Sequence, residues 1–220
     1  MAKEIRKKVK PLALIQTDRK KRKTAVTGGL SGITTTESVQ SLPGGFSGNL
    51  LRNQTNPPSF TTLTLTGLPS HDSIDINFLF AFIDSWDSTN GTPAPDYFNV
   101  RVDGTSVLQI TSANASGNVT YGGTQLGFGH YGWWGAYPER AFDMSSESAL
   151  SVAHSASTLT IDFFASGAGW QGGYDESWGI DNLNVTVNTT TPPGTVPEPT
   201  TLLLLGSGLV GLAGVRRFKK

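Results

Sequence analysis

The segment SIDINFLFAFI, residues 73–83, decides the fold. Its large apolar side chains recur at every second position from Ile74 to Phe82, which is the periodicity of a β-strand. The alternate positions begin polar, with Asp75, and become apolar from Leu79 onward. A strand that is apolar along one whole face and along part of the other is typical of the middle of a sheet. We therefore predict a central β-strand here.

Shorter strand patterns flank this segment, and Asp103-Gly104 between two of them is a strong hairpin turn. The glycine- and aromatic-rich residues 112–148 are instead predicted to form a long irregular loop. Short strands without an amphipathic helix predict an all-β sandwich. The other predicted strands are residues 60–68, 97–102, 105–110, 150–154, 158–164 and 178–187.

The net charge of zero hides a strong asymmetry along the chain. Residues 1–23 carry ten basic side chains against two acidic ones, whereas residues 24–199 carry three arginines against fifteen acidic residues. An acidic body argues against nucleic acid as a partner, because nucleic-acid binding depends on basic contacts to phosphate. It suits divalent cations or life outside the cell. The absence of cysteine excludes disulfides and thiolate metal sites.

The basic N-terminus is predicted to be a disordered arm, residues 1–25. A secretory signal needs an apolar stretch of about 7–15 residues after its basic start. Here only residues 9–15 are mildly apolar, and Lys10 and Pro11 interrupt them. Three interpretations stay open: a misplaced start or disrupted gene, a natural cytoplasmic arm, or a basic patch for nucleic acid or anionic lipid.

The C-terminus, residues 196–220, reads VPEPTTLLLLGSGLVGLAGVRRFKK. Prolines cannot continue a helix backwards, so the Pro-Glu-Pro triplet marks a stop between domain and tail. The uncharged run behind it is short beside the roughly 20 apolar residues of a membrane span, although flanking residues can extend it. We predict a single hydrophobic membrane helix with a basic end. Its defining residues are Leu202, Leu203, Leu204, Leu205, Leu209, Val210, Leu212, Val215, Arg216 and Arg217.

This order of triplet, apolar run and basic end resembles the PEP-CTERM sorting signal of Gram-negative bacteria that make extracellular polysaccharide. The resemblance implies recognition by an exosortase-type processing enzyme near Pro197, Glu198 and Pro199. It also implies a transient single-pass stage in the inner membrane, followed by transfer to the cell surface or the extracellular matrix. Glu198 would then belong to the recognition sequence.

Two segments resemble parts of a jelly-roll domain found in many secreted bacterial proteins. They are IDSWDSTNGTPAPDYFNVRVDG, residues 83–104, and YDESWGIDNLNV, residues 174–185. The predicted fold is therefore an all-β, jelly-roll-like β-sandwich with a C-terminal single hydrophobic helix and a disordered basic N-terminus. The sandwich is predicted over residues 26–187, a Pro/Thr-rich linker over 188–199, and the hydrophobic helix with its basic tail over 200–220.

Two groups of acidic residues suggest a calcium site, because calcium prefers six to eight oxygen ligands. If the first long loop lies beside the last strand, Asp181 would face Asp84 or Asp87. The alternative is a set of turn caps and solvated surface acids. The candidate ligands are Asp84, Asp87, Asp96, Asp175, Glu176 and Asp181.

Aromatic residues crowd two predicted loops and suggest a carbohydrate-binding face, since sugar rings stack on flat aromatic rings. The alternative is that these rings pin the loops to the sandwich. The candidates are Tyr131, Trp133, Trp134, Tyr137, Trp170 and Tyr174.

Catalysis has less support. Carboxylate pairs can hydrolyse glycosides, but Asp175 and Glu176 are adjacent, and adjacent strand residues point to opposite faces. The three histidines lack metal-ligand spacing, and no nucleophile elbow or phosphate loop occurs. We predict a non-enzymatic exported surface or extracellular-matrix protein associated with exopolysaccharide. The alternatives are a lectin-like carbohydrate-binding module and a glycan-active hydrolase.

Overall fold

A computed structural model describes residues 14–16, 27–32, 35–89, 92–114, 122–133 and 136–189. The predicted C-terminal helix, the Pro-Glu-Pro triplet, Trp134 and most of the basic arm lie outside the described residues. Across the described ranges, no helix combines the length and the apolar character needed to cross a membrane.

The described fold is all-β, with two short 3₁₀ turns at Met144–Ser146 and Ser148–Leu150. Predicted strands recur close to their expected bounds, which confirms the all-β prediction. The strands are β1 (Leu14–Gln16), β2 (Thr27–Ser31), β3 (Thr35–Ser38), β4 (Asn49–Asn53), β5 (Thr61–Thr66), β6 (Ser73–Asp84), β7 (Tyr97–Val102), β8 (Thr105–Ile110), β9 (Thr124–Gly129), β10 (Glu139–Asp143), β11 (Ser151–Ala153), β12 (Thr158–Ser166) and β13 (Glu176–Asn188).

Within these ranges the strands form two sheets. The larger sheet has eight strands in the order β3-β4-β13-β6-β10-β9, with β1 added beside β13 and β11 beside β6. The smaller sheet has five, in the order β2-β5-β12-β7-β8. The described pairings are antiparallel apart from β1, which runs parallel to β13. Strand β6 lies between β13 and β10, so the predicted central strand is confirmed.

Two regions depart from the prediction. The segment predicted as an irregular loop, residues 112–148, contains β9 and β10, and β10 pairs directly with β6. Three residues of the arm predicted to be disordered form β1 beside β13. In both places a short segment with a weak strand pattern is held by a long neighbouring strand.

The main core lies between the sheets and is rich in phenylalanine. Phe80 of β6 is completely buried, and its ring centroid lies 4.1 Å from that of Phe98 of β7 in the other sheet. Phe163 of β12 packs against Phe78 of β6 at 5.5 Å, edge to face. These contacts across the two sheets use the face of β6 that is apolar throughout.

A second apolar cluster covers the opposite face of β6. Leu79, Ala81 and Ile83 are buried there beneath the connection between β3 and β4 and beneath Trp133. This cover explains why the second face of β6 becomes apolar from Leu79 onward. A strand that is shielded from water on both faces favours apolar residues at every position.

Candidate functional site

Two loops meet at one end of the sandwich, residues 85–96 after β6 and residues 167–175 before β13. They meet because Asp84, the last residue of β6, pairs with Glu176, the first residue of β13. The Ser85 amide donates to the Asp175 carbonyl at 3.0 Å, and the Ser85 hydroxyl donates to the Asp175 carboxylate at 2.6 Å. The first long loop therefore lies beside the start of the last strand, which is the arrangement that the calcium hypothesis requires.

Three carboxylates from this end form what we call the acidic cluster: Asp87, Asp96 and Glu176. One oxygen from each lies within 4.8 Å of the others. Asp96 and Glu176 have no exposed surface, and Asp87 is half-buried at the rim. The cluster joins two distant parts of the chain, because Asp87 and Asp96 belong to the loop after β6 and Glu176 begins β13.

Backbone amides orient the two buried carboxylates. The Asp87 amide donates to Asp96 Oδ2 at 2.8 Å, and the Gln171 amide donates to Glu176 Oε2 at 2.7 Å. The remaining oxygens, Asp96 Oδ1 and Glu176 Oε1, are buried and accept from no other donor, and the two carboxyl groups hydrogen-bond to each other when one of them is protonated. Each buried acid thus has one oxygen fixed by the backbone and one left unsatisfied when both acids are ionised.

The electrostatics of the acidic cluster are unfavourable for two negative charges. Burial raises the pKa of Glu176 to about 9, and the neighbouring charges of Asp96 and Asp175 act in the same direction. Burial also raises the pKa of Asp96 to about 6, with Asp87 and Asp175 adding to the rise. Two buried carboxylates this close ionise together only when a positive charge compensates them.

The other predicted ligands lie around or away from the acidic cluster. Asp84 Oδ1 accepts a hydrogen bond from the Tyr137 amide at 3.4 Å, and burial raises the pKa of Asp84. Asp175 is held by Ser85, as described above.

The prediction that Asp181 faces Asp84 or Asp87 is wrong. The strand register pairs Asp181 with Leu79, whereas Asp84 pairs with Glu176 at the start of β13. Asp181 Oδ2 instead accepts from the Ser47 amide at 3.0 Å, so Asp181 fastens the connection between β3 and β4.

The aromatic candidates divide by exposure. Trp133 and Trp170 are each only 8% exposed. Trp133 Nε1 donates to Glu37 at 3.3 Å, and Trp170 Nε1 donates to the Thr55 carbonyl at 2.9 Å. These two rings pin loops to the sandwich, which was the alternative interpretation.

Tyr137 and Tyr174 remain open to solvent, at 40% and 89% exposure. Tyr131 is half-buried, and its backbone amide donates to the buried carboxylate of Glu139 at 2.6 Å. Among the described aromatic candidates, Tyr137 and Tyr174 are therefore the two whose rings are open to stacking with a sugar.

The structure also contains a row of hydrogen-bonded side chains that the sequence patterns did not predict. A 2.6 Å hydrogen bond links His71 Nε2 and His154 Nδ1, and His154 Nε2 lies 3.1 Å from Asp103 Oδ2. The rings of the two histidines stack at 4.9 Å. They come from distant segments with no shared spacing, so no sequence pattern marks them.

Residues 195–217 match the family model described as the PEP-CTERM protein-sorting motif. The match confirms the resemblance of the C-terminus to this sorting signal. A comparison with curated proteins found no match.

Among solved structures, a chain from "Structure of infectious bursal disease virus Gt strain" is similar over 78% of this chain, at 16% identity and a TM-score of 0.24. The present chain spans 35% of the length of that viral chain.

Proposed function

We propose that this is a non-enzymatic exported protein, which an exosortase-type enzyme processes and delivers to the cell surface or extracellular matrix. The observation that carries the proposal is the PEP-CTERM motif at residues 195–217. A signal of this kind implies export and processing at the C-terminus. The motif follows closely on β13, which ends at Asn188.

Cleavage near Pro197–Pro199 would leave every described strand intact, because residues 189–196 separate β13 from the triplet. The hydrophobic run and the basic tail would be removed together. The C-terminal segment therefore acts as an address for an otherwise complete β-sandwich domain.

The burial of the acidic cluster supports a role without catalysis. A glycoside hydrolase needs two carboxyl groups on either side of the substrate bond. Glu176 and Asp96 have no exposed surface, so neither can reach a glycan in solution. Asp175 is exposed, and one of its two carboxylate oxygens accepts a hydrogen bond from the Ser85 hydroxyl.

The sorting proposal predicts a strong effect of the triplet. In an exosortase-carrying Gram-negative host, changing Pro197, Glu198 and Pro199 to alanine should leave the full-length chain in the inner-membrane fraction. The wild type should lose its tail and appear in the surface or matrix fraction. Immunoblotting with an antibody against residues 27–188, combined with mass spectrometry of the C-terminus, measures both outcomes.

The matched control is Pro192→Ala with Pro193→Ala, which changes two prolines just outside the matched residues 195–217. The control variant should be sorted like the wild type. Equal delivery of the triple-alanine variant and the wild type to the matrix would contradict the proposal.

A finer part of the proposal is that the domain associates with exopolysaccharide through Tyr137 and Tyr174. Both flank the same end of the sandwich: the Tyr137 amide bonds to Asp84, and Tyr174 precedes Asp175, whose carbonyl bonds to Ser85. Two exposed tyrosines offer flat apolar faces with polar edges, which suit sugar rings.

Affinity electrophoresis of the full-length chain in non-ionic detergent, in gels containing the host exopolysaccharide, tests this association. The wild type should be retarded, and the Tyr137→Ala, Tyr174→Ala double variant should lose most of the retardation. Phe60→Ala is the control, since Phe60 is 45% exposed and precedes β5 in the other sheet. Retardation that persists in the double variant would contradict a role of these tyrosines.

A further inference from the structure

The acidic cluster of Asp87, Asp96 and Glu176 has the form of a cation site. Its three carboxylate oxygens lie within 4.8 Å of one another, which is about twice a Ca–O bond of 2.3–2.6 Å. A single calcium ion between them can therefore contact all three. All three ligand atoms are oxygens, as hard divalent cations require.

The two unsatisfied oxygens point to a missing partner. When both acids are ionised, Asp96 Oδ1 and Glu176 Oε1 are buried and accept no hydrogen bond, although the second oxygen of each carboxylate is held by a backbone amide. Leaving buried polar atoms unpaired is costly, and leaving buried charges unpaired costs more. A bound cation satisfies both atoms at once.

Two of the three arginines in residues 24–199 form ion pairs with acids outside the acidic cluster. Arg52 pairs with Glu37 at 2.9 Å, and Arg101 pairs with Asp162 of the smaller sheet at 3.1 Å. The charged neighbours that raise the pKa of Asp96 and of Glu176 are other carboxylates, so a compensating charge at the acidic cluster can come from a proton shared between the buried acids or from a metal ion.

The surrounding backbone is built to hold the cluster closely. Asp96 Oδ1 lies 2.7 Å from where a Cβ on Gly169 would stand, and the Gly169 amide donates to the Pro95 carbonyl at 3.0 Å. A glycine at this position lets the second loop lie directly against the carboxylate of the first loop.

We propose that Asp87, Asp96 and Glu176 bind a calcium ion that fastens loop 85–96 to loop 167–175 and to the start of β13. The ion neutralises the two buried carboxylates and joins two distant parts of the chain at one end of the sandwich. This inference is independent of the sorting signal.

The test uses the full-length chain in non-ionic detergent after removal of metal. Melting temperature is followed by circular dichroism in EDTA, in calcium chloride and in magnesium chloride, and calcium binding is measured directly by titration calorimetry. Calcium at about 100-fold its Kd should raise the melting temperature by about 5–10 °C over EDTA. The calorimetric titration should fit one site.

Asp96→Asn and Glu176→Gln separate the proposed role from simple misfolding. An amide at either position cannot carry the negative charge that a bound ion would balance, so each variant should melt in EDTA at or above the wild-type temperature and lose the response to calcium. Asp75→Asn is the control, because Asp75 lies near the opposite end of β6 and should leave the response unchanged.

Three results would overturn the proposal. The first is a wild type that shows no calcium-dependent shift and no binding heat, which would assign the site to a shared proton. The second is a calcium shift that persists in both amide variants. The third is a larger response to magnesium than to calcium, which would remove the assignment to calcium.

Discussion

Replacing Phe80 by alanine should lower the free energy of unfolding by about 3–5 kcal/mol. Phe80 is completely buried at the centre of β6, with ring neighbours Phe82 at 4.7 Å and Phe98 at 4.1 Å. Because Phe98 belongs to the smaller sheet, the substitution removes a contact between the sheets and also leaves a cavity. Urea denaturation of the full-length chain in detergent, at fixed calcium, measures the loss.

Phe60→Ala is the matched control for this experiment. Phe60 is 45% exposed, packs edge to face on Phe164 at 4.7 Å and lies 4.4 Å below the Arg101 guanidinium. Those contacts account for a smaller loss of about 1–2 kcal/mol. Domains of this kind are stable by only about 5–15 kcal/mol, so the Phe80 variant should lie close to unfolding. Equal losses in the two variants would contradict the assignment of Phe80 to the inter-sheet core.

Gly167→Ala should destabilise the chain by about 3 kcal/mol or more, for two separate backbone reasons. Gly167 has a φ of +119°, a conformation that L side chains rarely adopt. A Cβ there would also stand 1.9 Å from the carbonyl oxygen of Pro95, which is backbone and cannot rotate away. The same denaturation experiment measures the effect.

Two other glycines distinguish the cost of the backbone conformation from the cost of the steric clash. Gly173 has a φ of +68° but open space around its Cβ position, so Gly173→Ala should cost only the conformational part, about 1–2 kcal/mol. Gly29 has open space and no positive φ, so Gly29→Ala should change stability by no more than about 0.5 kcal/mol. A Gly167 variant as stable as the Gly173 variant would exclude a steric role for the Pro95 carbonyl.

Strands that carry a strong period-2 pattern could be predicted from the sequence. The alternation in β6, the Asp103-Gly104 turn between β7 and β8 and the pattern of β12 reflect burial of one face, which each segment encodes by itself. Strands β9 and β10 could not be predicted, because β9 contains two glycines and β10 is charged at both ends. The pairing of β10 with β6, and of β9 with β10, supplies what the local pattern lacks.

The acidic cluster illustrates the same limit at the level of the site. The sequence indicated that loop 85–96 lies beside the start of β13, and Asp87, Asp96 and Glu176 do meet there. The sequence could not exclude Asp181, because it does not fix the register of β13 against β6, which decides the acidic residue that lies opposite Asp84. Asp181 is five positions further along β13 than Glu176 and is also acidic. Exposure of individual aromatics likewise depends on tertiary cover, as the buried Trp133 shows.

The last of the described strands to be synthesised, β13, is also an inner strand of the larger sheet, between β4 and β6. The larger sheet therefore cannot be completed until Glu176–Asn188 has been made, although all of its other described strands precede this segment in the sequence. Until then β4 and β6 have open edges, which can pair with other chains and aggregate. A nascent or truncated chain that ends before Glu176 is thus prone to aggregate through these edges. Such a chain would benefit from binding to a chaperone until residues 176–188 have been synthesised.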